Sequence, residues 1–121
     1  MAGRFPLYTD ADLHGPLVDG LMASGWDVVR AVDAFPEASD DRDHFERAAR
    51  EGRVLVGYDW HQRRIAHEWI KAGRPFRGLL TWKQRHHEQM TVGEFLKAFE
   101  DLAAEDDPFA YPIRYITPPK P

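Results

Sequence analysis

Arg53-Val54-Leu55-Val56-Gly57-Tyr58-Asp59 is a short apolar, β-branched run that ends in glycine, an aromatic residue and an acid. A strand covered on both faces has no polar side to show, so an interior strand of a parallel sheet reads as continuous hydrophobicity. In open α/β sheets ligands bind in the crevice beyond the carboxyl ends of the strands. This reading puts Asp59 at a binding edge and poses a question to the rest of the chain: which other residues reach that edge?

Toward the N-terminus, Phe5 to Thr9 reads as a first strand that exits into Asp10-Ala11-Asp12. Pro16 suits a first helical turn, Leu13, Leu17, Leu21 and Met22 form an apolar stripe at helical spacing, and Gly25 is a natural stop. Trp26 to Val32 predicts a second strand and 33–39 a loop. Ser39 is the expected N-cap of the next helix, with Asp40 and Asp41 in its first turn, Phe45, Ala48 and Ala49 inward and Gly52 at its end.

Toward the C-terminus, the spacing predicts a helix over 60–72, buried through Ile65, Ala66, Trp69 and Ile70 and closed by Gly73. Phe76 to Trp82 reads as a fourth strand. Thr91-Val92-Gly93-Glu94 is a capping box opening a helix buried through Val92, Phe95, Leu96, Phe99 and Leu102. Tyr111 to Ile116 is a last strand that Pro112 consigns to an edge. The expected architecture is therefore a three-layer α/β/α domain over 1–116 with a mostly parallel sheet of four or five strands, followed by a loose tail over 117–121.

Composition bounds the function. The 121 residues are the size of one domain, and the absence of cysteine excludes disulfides and thiolate metal sites. With no signal-like apolar segment at the start and no run near the ~18 apolar residues of a membrane span, a soluble cytoplasmic protein without a membrane partner is expected. The net charge of −4 argues against a protein that coats itself in nucleic acid. The average hides a division, because 61–87 holds seven basic side chains against the single acid Glu68. Within it Arg63, Arg64, Lys83 and Arg85 are the candidates for gripping a phosphate backbone.

Strand exits and helix starts share one edge of such a sheet, so Asp10, Asp12, Asp41 and Asp59 should converge. Carboxylates aimed at one point repel, and one of them takes up a proton unless a cation is present. Mg²⁺ or Mn²⁺ resolves the conflict with oxygen ligands and brings phosphodiester hydrolysis within reach. Asp is also common at these positions simply as a helix cap, which is the competing reading.

Asp10-Ala11-Asp12-Leu13, Asp41 eleven residues before Gly52, and the run 53–59 resemble the PIN-like family of small bacterial and archaeal predicted nucleases and candidate toxins of toxin–antitoxin systems. The likeness covers about the first 70 residues. It implies a metal-dependent ribonuclease whose Mg²⁺ or Mn²⁺ is held by Asp10, Asp41 and Asp59, with Asp12 or His61 orienting the water. RNA is the implied substrate, and an antitoxin protein and a second copy of the chain are the implied partners. Asp12 stands where the family has Asn, Asp40 where Ser is usual, and His61-Gln62 where Asp-Phe is typical. His61 is a softer ligand that admits Mn²⁺ or Zn²⁺.

Two other functions compete. The departure at His61 and the overall acidity suit a catalytically degenerate partner-binding module. The acids after strands one and three, with Thr81 and Lys120, mimic a receiver domain that accepts phosphate on Asp59, although a receiver needs a helix after that lysine and the sequence here ends at Pro121. His67, His86 and His87 read as solvated residues, the latter pair on a short connector.

Overall fold

The computed structural model describes residues 3–34 and 40–118. Five strands form one all-parallel sheet: β1 (Leu7–Thr9), β2 (Val28–Arg30), β3 (Val54–Val56), β4 (Gly78–Thr81) and β5 (Ile113–Tyr115), in the order β2-β1-β3-β4-β5. This is a doubly wound order whose switch point lies between β1 and β3. The helices are α1 (Gly15–Ala23), α2 (Ala31–Ala34), α3 (Asp41–Arg50), α4 (Trp60–Lys71), α5 (Gln84–Gln89) and α6 (Val92–Ala103).

The pleat sorts the strand residues between two cores. Leu7, Val54, Val56 and Leu80 face α1 and α6, packing with Leu17, Leu21, Phe95 and Phe99. Tyr8, Leu55 and Leu79 face α3 and α4, packing with Phe45, Ala48, Ile65 and Trp69. Helices thus cover both faces, giving the three-layer α/β/α arrangement that the continuous apolar strands predict. Gly52 and Gly73, after α3 and α4, take positive φ of 67° and 70°, the left-handed conformation that glycine adopts without a Cβ clash.

Several local expectations change. β2 is shorter than the run 26–32: Trp26 turns into the core, the pairing starts where Asp27 O accepts from Leu7 N, and Ala31 opens α2. The buried stripe of α1 runs through Val18, and Met22 is 48% exposed. The N-cap of α3 is Asp40 in a reciprocal capping box with Asp43, while Ser39 lies outside the described residues. His86 and His87 sit half-buried on α5, which replaces the expected connector. β5 lies at the sheet edge as Pro112 implies; Pro112 has no N–H but its carbonyl accepts from Leu79 N at 2.7 Å. Thr117 and Pro118 carry no regular structure, and the rest of the expected tail lies outside the described residues. Among the described residues no helix is long and apolar enough to cross a membrane.

Candidate metal centre

The acids converge because β1 and β3 are neighbours in register, with Thr9 paired to Val56. Asp10 N continues that ladder to Val56 O at 3.0 Å, so Asp10 leaves the sheet level with Gly57 and just below Asp59. Asp59 is the N-cap of α4, and Asp41 begins α3 from the neighbouring loop. A Cβ at Gly57 would run into the side chain of Gln62, which is 1% exposed, so glycine here lets the first turn of α4 close onto the end of β3.

Asp41, Asp59 and His61 each offer a ligand atom, and these atoms all lie within 4.8 Å of one another. Asp59 Oδ1 accepts from His61 N at 2.9 Å and lies 2.8 Å from His61 Nδ1. A carboxylate only accepts, so this contact puts the imidazole proton on Nδ1 and leaves Nε2 as a lone-pair donor. Of the expected acids, Asp41 and Asp59 lie within that radius together with His61, and Asp10 stands outside it.

Asp10 is nevertheless part of the same electrostatic cluster. Burial first, then the neighbouring Asp12 and Asp41 carboxylates, push its carboxyl up to about 6, against a small opposing pull from the Ala11 amide. Burial and Asp59 likewise push Asp41 up, partly offset by His61. Burial acts upward on Asp59 too, but the amide and imidazole of His61 outweigh it, with help from Arg63, and hold Asp59 below the usual carboxylate range. Two acids in the cluster, Asp10 and Asp41, therefore hold their protons more tightly than usual, as crowded carboxylates require. Among the described residues no lysine or arginine forms an ion pair with Asp10, Asp12, Asp41 or Asp59.

Two hollows flank the cluster. The larger, about 490 Å³, is lined by Asp10, Asp12, Tyr58, Asp59, Trp60, Arg63 and Gln84. The smaller, about 230 Å³, is lined by Asp40, Asp41, Arg42, His61, Arg64 and Ile65. Arg63 Nη1 donates to Tyr58 O at 3.2 Å and Thr81 Oγ1 at 3.3 Å, which fixes its guanidinium in the larger hollow. Arg64 and Arg42 share Glu68, at 3.7 and 2.8 Å. Lys83 and Arg85 are exposed around the start of α5, on the same edge of the sheet.

The basic segment does not form one positive face. Lys71 and Arg74 close α4 and Arg77 precedes β4, so these three lie at the opposite edge; the Arg74 guanidinium rests 3.7 Å from the Trp69 ring centroid. Tyr58, Gln84 and Arg42 had no motif to announce them. Tyr58 shares the parity of Val54 and Val56, which places it with Trp82 and His87, whose centroids lie 5.9 and 4.5 Å from its own. Burial, with His14 close by, lowers the His87 pKa. His44 lies one turn beyond Asp41 on α3, and its Nδ1 is 2.8 Å from the Tyr8 hydroxyl. An Asp and a His at i and i+3 of a helix share a face, the one sequence signal that pointed to it. For a receiver layout, Thr81 already accepts from Arg63, and Lys120 lies outside the described residues.

Fold and site together define a doubly wound α/β domain with an anionic crevice at its switch point. Comparison with protein-family models, curated proteins and solved structures finds no match to this chain.

Proposed function

We propose that the protein is a metal-dependent ribonuclease that hydrolyses phosphodiester bonds. The observation that carries this reading is the mutual electrostatic influence of Asp10, Asp12, Asp41 and Asp59, which come from three separate segments to two adjoining hollows without a lysine or arginine ion pair among the described residues. Asp41, Asp59 and His61 supply the donor types a divalent cation takes, two carboxylates and an imidazole, with candidate ligand atoms within 4.8 Å of one another. That donor set favours Mn²⁺ over Mg²⁺, since imidazole is a softer ligand than carboxylate. Bound there, the ion would neutralise phosphodiester charge and lower the pKa of a water molecule.

The side chains divide the remaining work. Asp59 orients the His61 ring, and the exposed Asp12 carboxylate is free to orient an attacking water. Asp10 gives up its proton when positive charge enters the crevice, so ion uptake near pH 6 releases protons. Arg63, held by Tyr58 O and Thr81 Oγ1, presents its remaining donors to phosphate, and Arg64, Lys83 and Arg85 flank it. On this reading the protein works in the cytoplasm on RNA, and its protein partners are an antitoxin and a second copy of the chain.

The test is cleavage of structureless RNA with Mn²⁺ by the native protein and by Asp59→Asn. Native cleavage that the variant lacks is expected, and equal behaviour of the two overturns the reading. A catalytically degenerate partner-binding module is the second reading, favoured by the two hydrogen bonds that already engage Asp59 Oδ1. Calorimetry with Mn²⁺ separates them, because a decayed site takes up no ion.

A further inference from the structure

Three of the four tryptophans lie in the cores: Trp26, Trp69 and Trp82 are 4%, 8% and 0% exposed, whereas Trp60 is 54% exposed. Trp60 is the first residue of α4, directly after Asp59, and it lines the larger hollow beside Asp10, Asp12 and Asp59. Its ring stacks on His61 with centroids 3.9 Å apart and planes 27° from parallel. His61 is itself pinned to Asp59 through Nδ1. The indole is thus backed on one side by an anchored ring while the residue opens onto the hollow.

We propose that Trp60 is a stacking platform for one unpaired nucleobase of single-stranded RNA, bound in the larger hollow next to the phosphodiester to be cleaved. The proposal rests on the nuclease reading and adds to it the side chain that holds a base beside the linkage. A rigid flat aromatic beside a cation is the combination that single-strand binders use, because every base has a π-face to stack. The hollow also supplies a group for the base edge and one for the backbone. Gln84 carries both an amide donor and an acceptor, and Arg63 holds a guanidinium in place. The volume of about 490 Å³ lies within the ~300–1,000 Å³ typical of small-molecule sites.

The far side of the cluster fits the same strand. Arg42 and Arg64 line the smaller hollow with Asp40, Asp41 and His61, so two guanidiniums paired to Glu68 stand among the acids there. A chain entering through the aromatic hollow leaves across these arginines, so an internal linkage rather than an end meets the carboxylates. A base held inside a duplex does not reach Trp60, which makes paired RNA a poor ligand.

The exposed indole reports on its own occupancy, since the other three tryptophans are buried. A labelled single-stranded octaribonucleotide of mixed sequence, titrated with Ca²⁺ in place of Mn²⁺, should quench tryptophan emission as it binds. Trp60→Ala should weaken binding about 10- to 100-fold, Trp60→Phe should retain most of it, and one position of the octamer should become sensitive to an abasic ribose. Binding with unchanged emission, native affinity in Trp60→Ala, equal affinity for duplex RNA, or no binding at all overturns the proposal. Quenching without Mn²⁺-dependent cleavage would sink the nuclease reading and leave the platform standing; cleavage by Trp60→Ala at the native KM would do the reverse.

Discussion

At the edge where the strands begin, acids face arginines: Arg53 meets Asp27 at 3.0 Å, Arg4 meets Glu100 at 2.9 Å, and Arg47–Glu51 and Arg114–Glu105 both close at 2.7 Å. At the edge where the strands end, Asp10, Asp12 and Asp41 have no such partner among the described residues, and Asp59 has the half-exposed His61. Arginine is present there too, but Arg63 turns its Nη1 to Tyr58 O and Thr81 Oγ1 rather than to a carboxylate. The same residue types settle charge at one end of the sheet and leave these acids unsettled at the other, although Arg30–Asp33 and Arg42–Glu68 pair close by. Stability alone would pair both ends, so the unpaired acids are the place to look for a function.

The largest effect is expected where that unsettled charge meets an ion. Replacing an outer partner of a ligand typically costs 10–100-fold in metal affinity, so Asp41→Asn, which removes a direct donor, should weaken Mn²⁺ binding by at least about 100-fold. Calorimetry measures this, and native affinity in the variant would break the contrast between the two edges.

Next in size is the paired edge. The Arg53 side chain is 17% exposed and donates to Leu7 O at 3.2 Å as well as to Asp27 Oδ1. Arg53→Ala should destabilise the fold by ~1–2 kcal/mol, read from urea midpoints at constant m-value.

The smallest effect has the opposite sign. Asp10 is pushed up to about 6 from 3.8, so between those values the folded protein binds more protons than the unfolded chain. The stability due to this group is fully present below its unfolded pKa and is lost as pH rises through about 6. Metal-free Asp10→Asn should therefore match the native protein near pH 4 and exceed it near pH 7.5 by ~1 kcal/mol, a figure discounted for the solvent that reaches this half-buried group. A difference that stays flat with pH, or a loss at pH 7.5, would mean the carboxylates are not crowded.

Much of this was legible in the sequence. Val54–Val56 of the run 53–59 forms the interior strand β3, the exits after β1 and β3 carry Asp10 and Asp59, and Asp41 opens α3, because strand periodicity and capping chemistry are local. What escaped depends on packing between distant segments. The stacking of Tyr58, Trp82 and His87 needs α5 folded back over the end of β3. The division of the basic segment follows from the length of α4, which carries Arg63 and Lys71 to opposite edges. That His61 rather than Asp10 joins Asp41 and Asp59 within 4.8 Å is a matter of side-chain reach, which spacing along the chain does not encode.

The notch at Gly57 carries a kinetic consequence. Because Gln62 fills it from the first turn of α4, Asp59 and His61, which cap and open that helix, take their final positions only once it docks. Amide protons from Tyr58 to His61 should then exchange in step with those of α4 and ahead of the β1–β3 ladder, so that on gentle warming the Asp59–His61 contact is lost before the sheet is.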